Sequence, residues 1–419
     1  MKKQGILLTL GCAFAAIAAA GCSAGSEAYK PGNPIKVGLI CLHDTSSTYD
    51  KNFIDSMAEA AKNLGNKLSG EPIIKTGVPE SQECYTAAKD LVKQGCNVIF
   101  ADSFGHEAYW LDAVREFPNV TFCHATGTKA KVNPDLPNYH NAFASIYEGR
   151  YIAGVAAGVK LQSMVAAESL AAKNFDKDGN IKLGYVGAYP YAEVVSGYTS
   201  WFLGVRSVVP NVVMDVQYTF SWYNVQDEKD AARNLIDKGA ALISQHADSM
   251  GAPGECEDKK VPNVTYNIPT EKDCPNTYVS YSKINWAPYY EAVVNAVYAG
   301  KAIEGEVNRN WTGTLATGSV QWGLSSKADA ETKKACADAE AAIKAGTLKV
   351  FDTDTFTVGG KKVTSYLADV DDMGDYKGET EVIKTVGDKT FFDESALRSA
   401  PYFDLRIDGI TELNANQQN

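Results

Sequence analysis

Residues 35–42 read IKVGLICL, an apolar run broken by one charge, and no other stretch constrains the fold so tightly. A strand with one wet face alternates apolar and polar side chains. A strand that is apolar on both faces must be covered on both, which is the condition of a parallel α/β sheet. The following segments fit that frame. Asp50 to Leu64 sets Phe53, Met57, Ala60, Ala61 and Leu64 at helical spacing. A strand near Ile73–Thr76, a helix Ser81–Lys93, a strand Asn97–Ser103, a helix His106–Phe117 and a strand Val120–Ala125 continue the alternation. Such βαβα order predicts a parallel sheet with helices on both faces.

A second set repeats the pattern. Strand Ile181–Tyr189, helix Ala192–Val209, strand Val212–Thr219, helix Gln226–Lys238 and strands Ala240–Gln245, Val264–Ile268 and Tyr278–Tyr281 form it. Between the sets, Tyr147–Leu161 (YEGRYIAGVAAGVKL) is a helix rich in Gly and Ala, suited to close packing near a crossover. A helix Tyr289–Ala299 follows, then an alanine-rich helix Ala328–Ala345 and a hairpin over 348–366 turning at Gly359-Gly360. We expect one lobe of 35–158 plus about 284–306, a second of 159–283 plus about 307–368, and an extension, 369–419, packed on the body. In open α/β sheets ligands bind beyond the carboxyl ends of the strands. The loops 43–52, 102–106, 125–128, 188–198, 245–253, 267–275 and 282–286 are therefore expected to line a cleft.

The first residues give an address. Met1-Lys2-Lys3-Gln4 is cationic, Ile6–Ala20 is apolar, and small residues lead to Gly21-Cys22. This is a secretory signal, too short to span a bilayer. Ala19-Ala20-Gly21-Cys22 looks like a bacterial lipobox, so 1–21 is expected to be removed and Cys22 to carry lipid. Residues 22–34 would then be a flexible spacer holding the body at the extracytoplasmic face of the cell membrane. With 40 Lys+Arg against 51 Asp+Glu, the net charge of −11 argues against nucleic acid.

No P-loop, H-E-x-x-H or G-x-S-x-G motif occurs, so neither a cofactor nor an enzymatic role is expected. No C-x-x-C pair exists among the nine cysteines, although Cys256 and Cys274 flank a polar loop and could bridge. His43 and Asp44 in one loop and His246 and Asp248 in another could hold a metal only if they converged. Single loop histidines are more often hydrogen-bonded fixtures, and no metal site is assigned. The cleft loops instead join aromatics (Tyr49, Phe53, Phe104, Tyr189, Tyr198, Trp201, Trp286) to polar groups (Asp44, Asn52, Asp102, Ser103, Gln245, Asp248, Asn267, Lys283). Flat apolar faces with a few directional groups suit a heteroaromatic or sugar-bearing ligand. Phe53 and Trp201 lie on helices, where aromatics also pack in the core, and both placements are open.

Several ordered segments carry a family resemblance: Val37-Gly38-Leu39-Ile40 with Asp44 and Asp50-Lys51-Asn52-Phe53; Phe104 before Phe117-Pro118-Asn119-Val120; Glu148-Gly149-Arg150-Tyr151-Ile152-Ala153-Gly154; Gly184-Tyr185-Val186-Gly187; Trp201-Phe202-Leu203-Gly204; and Ser282-Lys283. Across roughly 35–300 the chain resembles the basic membrane protein family of substrate-binding lipoproteins, which includes purine-nucleoside receptors of ABC importers. The resemblance implies a type I periplasmic-binding-protein fold with two lobes joined by three crossovers. It implies that Phe53 and Trp201 stack on the two faces of a base. By the same resemblance Asp44 and Asn52 surround base and ribose, and Lys283 lies near the ribose. Asp102, Phe104, Asp248 and Asn267 complete the candidate ligand set. Two positions depart from the family pattern, with Ala125-Thr126-Gly127 and Tyr266-Asn267-Ile268 standing where carboxylates are usual. Thr and Asn give mixed donor–acceptor contacts in place of a carboxylate's two acceptors. The expectation is a monomeric receptor that closes on a small ligand, such as a purine nucleoside, and passes it to an ABC permease. The rivals are a receptor or sensor for a sugar-like metabolite and a surface nucleoside hydrolase using Asp44, His246 and Asp248.

Overall fold

The computed structural model describes residues 28–303, 307–370 and 377–416; the expected signal segment and Cys22 lie outside the described residues. The chain first lays down β1 (Val37–Ile40), α1 (Thr48–Leu64), β2 (Ile73–Lys75), α2 (Gln82–Lys93), β3 (Val98–Ala101), α3 (His106–Glu116), β4 (Thr121–Ala125) and β5 (Tyr139–Ala144). Then α4 (Ile146–Ala166) leads to β6 (Ile181–Gly187), α5 (Ala192–Val208), β7 (Val212–Tyr218), α6 (Val225–Asp237), β8 (Ile243–His246), α7 (Gly251–Lys259), β9 (Asn263–Tyr266) and β10 (Tyr278–Ile284). After α8 (Ala287–Tyr298) come β11 (Asn310–Gly313) and β12 (Val320–Leu324).

These strands make two sheets. The first has the order β11-β5-β4-β3-β1-β2 and is parallel throughout. β1 is buried at every position, the burial that its two apolar faces demand. The second sheet runs β12-β10-β9-β8-β6-β7 and ends on the late strand β17 (Ile410–Glu412), with β12 antiparallel to β10 and the rest parallel. This is an α/β fold of mostly parallel sheets flanked by helices, the type I solute-binding architecture. β11 enters the first sheet from within 307–368, the stretch that sequence reasoning gave to the second lobe.

Three chain crossings lie side by side. Ser145 N donates to Gly313 O and Asn285 N to Ser319 O, both at 2.7 Å, which joins the strands leaving β5, β10 and β11. Helix α1 braces one of them. Asn52 Nδ2 donates to Ile284 O at 2.7 Å, Trp286 N donates to Ser56 Oγ at 3.3 Å, and the Phe53 and Trp286 rings stack at 4.3 Å. Helices α4 and α5 meet backbone to backbone. A Cβ on Gly154 would sit 2.2 Å from Trp201 O, and one on Gly204 would sit 2.2 Å from Tyr151 O. Only glycine permits that approach.

The C-terminal part differs from expectation in detail. Gly359 and Gly360 do turn the chain, at φ 58° and 75°, but a single bridge between Val358 and Lys361 replaces the expected hairpin. β13 (Leu367–Ala368) leads into the extension, which holds β14 (Thr380–Glu381), β15 (Ile383–Val386), β16 (Lys389–Phe392) and β17 (Ile410–Glu412). β15 and β16 form the hairpin actually present, and β17 adds to the edge of the second sheet. Cys256 and Cys274 are both buried free thiols. Among the described residues no helix is long and apolar enough to cross a membrane.

Candidate ligand-binding cleft

A cavity of about 440 Å³ opens where the carboxyl ends of the two sheets face each other. From the first lobe, the loop after β1 and the start of α1 supply Leu42, His43, Tyr49 and Asp50. Ser103 and Phe104 follow β3, and Thr126 and Thr128 follow β4. The second lobe supplies Pro190 to Glu193 after β6, Trp222 after β7, and His246, Asp248 and Tyr266 at the ends of β8 and β9. Every one follows a strand's carboxyl end or opens a helix, as the parallel topology requires. The lobes touch at the base, where Thr48 N donates to Asp248 O at 2.8 Å.

Aromatic rings define the mouth. Phe104, 45% exposed on the first lobe, lies 5.9 Å from Tyr191 on the second. Tyr191 stacks on Tyr189 at 5.0 Å and 10°, and Trp222 packs against Tyr189 at 5.0 Å. Deeper in, Tyr49 Oη donates to Asp102 O at 2.8 Å. Tyr266 presents a buried hydroxyl with no hydrogen-bond partner among the described residues.

The polar floor is a chain of three groups. Arg150 on α4 is 1% exposed and its guanidinium lies 3.7 Å from the Tyr266 ring centre. It donates to Gln245 O and to His246 Nδ1, each at 3.0 Å. Because a guanidinium only donates, His246 Nδ1 must accept, and its proton sits on Nε2. Nε2 then donates to Glu193 Oε1 at 2.8 Å. Burial holds the imidazole below its usual pKa, and Arg150 adds to that while Glu193 opposes it, so His246 is neutral. A fixed, half-satisfied carboxylate at Glu193 thus faces the cavity. Gly197 makes room, since a Cβ there would lie 2.7 Å from His246 Nδ1.

Two further carboxyls differ in state. Burial would raise Asp50, but hydrogen bonds from His43 and Ser47 outweigh it and hold the group below the usual range. Asp248 is pushed well up by burial and then by the charges of Glu228, Asp50 and Glu193, so it keeps a proton. Cys41, Asp50 and Asp102 bring a thiol and two carboxyls within 4.8 Å of one another, the metal-like cluster among the described residues. Burial, then the charge of Asp50, pushes Asp102 well up, and burial does the same to the Cys41 thiol. Asp102 is thereby held toward its protonated form, beside an Asp50 held toward its carboxylate.

The residues named from sequence scatter. Phe104 and Asp248 line the cavity. Asn267 stands one layer behind, its Nδ2 3.4 Å from Asp248 Oδ1 with φ 70°. Asp102 is fully buried behind Tyr49. Phe53 is 1% exposed and backs Tyr49, the ring centres 4.8 Å apart. Trp201 is 0% exposed in the core beside Tyr185. Asn52 serves the crossover, and Asp44 is exposed, capping Ser46 N at 2.8 Å. Burial lowers the pKa of Lys283, which faces the charges of Glu59 and Asp55 on α1. Sequence reasoning had not named Tyr191, Glu193 or Trp222 as site residues, although Tyr191 and Glu193 lie in a loop it marked. The signal available was the post-strand position of Tyr189-Pro190-Tyr191-Ala192-Glu193.

Two lobes, three crossings and a cavity between them define a solute-binding protein. The chain belongs to the Bmp family, whose model, described as ABC transporter substrate-binding protein PnrA-like, matches residues 37–353. A purine-binding protein of Brucella abortus (strain 2308) is 30% identical over 320 residues, covering 76% of this chain and 83% of that protein. A putative ABC transporter glucose-binding protein of Haloferax volcanii is 29% identical over 204 residues, 49% of this chain and 46% of its own length. An ABC transporter solute-binding protein from Aeropyrum pernix K1 shares the fold, with a TM-score of 0.58 at 13% identity, over 76% of this chain and 93% of that one.

Proposed function

We propose that the protein captures a purine nucleoside in the interlobe cavity and delivers it unaltered to the permease of an ABC importer. The observation that carries this reading is the cavity itself. Phe104 from one lobe meets Tyr191 from the other, with Trp222 beside Tyr191, so flat faces from both sides are available to a base. Below them the Glu193 carboxylate, oriented by His246 and Arg150, offers the acceptors that a ribose diol needs. The printed name of the Brucella relative points the same way. Capture takes place outside the cytoplasm, with the monomer tethered through lipid on Cys22, and closure is a hinge motion about the three crossings.

A sugar-like ligand is the second reading, favoured by the name of the Haloferax relative. Of the residues the hydrolase reading names, His246 and Asp248 line the cavity and Asp44 does not. Asp44 is exposed and outside the cavity wall, and both His246 nitrogens are occupied. Melting the protein with adenosine, guanosine and inosine, then recovering the ligand, separates the three. A raised melting temperature with intact nucleoside supports the receptor. Free base would support the hydrolase. No response to nucleosides, with a response to pentoses or hexoses, would move the assignment to sugars.

A further inference from the structure

The family match ends at residue 353, but the cavity wall does not. Ala400, Pro401 and Tyr402 line the cavity, and Arg398, Asp404 and Arg406 continue the same wall. This segment is built in. Downstream, β17 pairs in parallel with β7, Ile410 opposite Met214. Upstream, Ser196 Oγ on α5 donates to the buried Glu394 at 2.7 Å. Arg406 donates to Pro190 O at 3.3 Å, next to the loop that carries Tyr191 and Glu193. Toward the first lobe, Thr312 Oγ1 donates to Ser395 O and Lys131 Nζ to Leu397 O, both at 3.4 Å. The segment is thus a strap, fixed to the second lobe and reaching the first across one end of the cleft.

The arginines of the strap bond within it and to its neighbours. Arg398 donates to Ala400 O at 3.1 Å and Pro401 O at 3.0 Å, and Tyr402 Oη accepts from Ala396 N at 3.1 Å. Arg406 pairs with Glu412 at 3.2 Å. Those bonds close a tight loop around Ala400, whose small side chain, 6% exposed, faces the cavity. We infer that residues 395–406 form a third wall of the ligand site and set the length of ligand it accepts. This wall selects a compact ring compound whose far end abuts Ala400, Pro401 and Tyr402. The inference rests on the cavity being the ligand site.

Ala400→Leu tests it, because the backbone carbonyls that hold the loop are unchanged. Adenosine, inosine and free adenine are titrated calorimetrically into the whole mature chain. Affinity for the two nucleosides should fall at least ~10-fold, while the shorter adenine falls less than ~3-fold. Unchanged nucleoside affinity, or equal losses for all three probes, would overturn the wall. If the unsubstituted protein binds none of the three, the nucleoside reading fails on its own, and a second variant decides the wall. A thiol introduced by Ala400→Cys should react with a small methanethiosulfonate reagent at least ~10-fold faster than the native buried thiols. A rate equal to theirs would place residue 400 away from the cavity and overturn the inference.

Discussion

The aromatic residues around the cleft fall into two tiers, and one or two helical turns separate their roles. The front tier, Phe104, Tyr191 and Trp222, sits in loops beyond strand ends and faces the cavity. The rear tier, Phe53 and Trp201, sits on α1 and α5, past the first helical turn, and is buried to 1% and 0% exposure. A helix that starts at the cleft points away from it, so only its opening residues reach the ligand. On α5 that residue is Glu193 and not Trp201. On α1 it is Tyr49, with Phe53 directly behind. The rear tier packs the interior, and the front tier is free to be chosen for the ligand.

Substitutions can break or sharpen this division. The largest effect belongs to the rear tier. Trp201→Ala should destabilise the protein by about 3–5 kcal/mol, since a fully buried indole leaves a void that α4 and α5 cannot close. Urea unfolding measures it, and unchanged stability with lost binding would move Trp201 to the front.

Next comes a pH effect of two buried carboxyls. Burial raises the Glu394 carboxyl to about 8 and that of Glu228 to about 7. In the unfolded chain these acids ionise near the usual carboxylate value of about 4.3, so between there and about pH 8 the native state binds more protons. Stability is therefore fully present at the acid end of that window and is lost as pH rises through the folded values. For Glu394 the loss across that window is on the order of 4 kcal/mol. Glu394→Gln, which mimics the protonated acid, should flatten the melting temperature between pH 5 and 8 relative to the unsubstituted chain, as calorimetric scans would show.

In the front tier, Glu193→Gln should weaken nucleoside binding by about 2 kcal/mol, the range for a hydrogen bond to a charged acceptor. Stability should move by less than about 1 kcal/mol, because Gln keeps an oxygen that can accept the hydrogen bond from His246 Nε2. Equilibrium dialysis with adenosine checks the first figure and urea unfolding the second. A stability loss larger than the binding loss would assign Glu193 to the scaffold.

The contrast also explains what could be read in the sequence. Doubly apolar runs such as 35–42 and the helical spacing of Phe53, Met57 and Leu64 carried the α/β architecture, because burial on both strand faces leaves a pattern. β5 (YHNAFA) left none. It is buried at every position, but His140 and Asn141 interrupt its apolar run, and Asn141 is satisfied by Glu107 and Ala130 only in the folded state. The short β11 and β12 and the strap have no period to detect. At the site, the loops were legible from topology, since strand ends mark the cleft. The residues were less so, because facing direction on α1 and α5 depends on where each helix begins. Asn52 and Lys283 illustrate the limit, one serving a crossover carbonyl and the other facing the acidic groups of α1.

The most direct measurement is a calorimetric titration of adenosine into Phe104→Ala and Phe53→Leu in parallel. If the front tier holds the base, Phe104→Ala loses about 1 kcal/mol of binding with stability unchanged. Phe53→Leu then keeps its affinity within ~3-fold while losing stability. The reverse result, affinity intact in Phe104→Ala and abolished in a still-folded Phe53→Leu, would contradict the two-tier account.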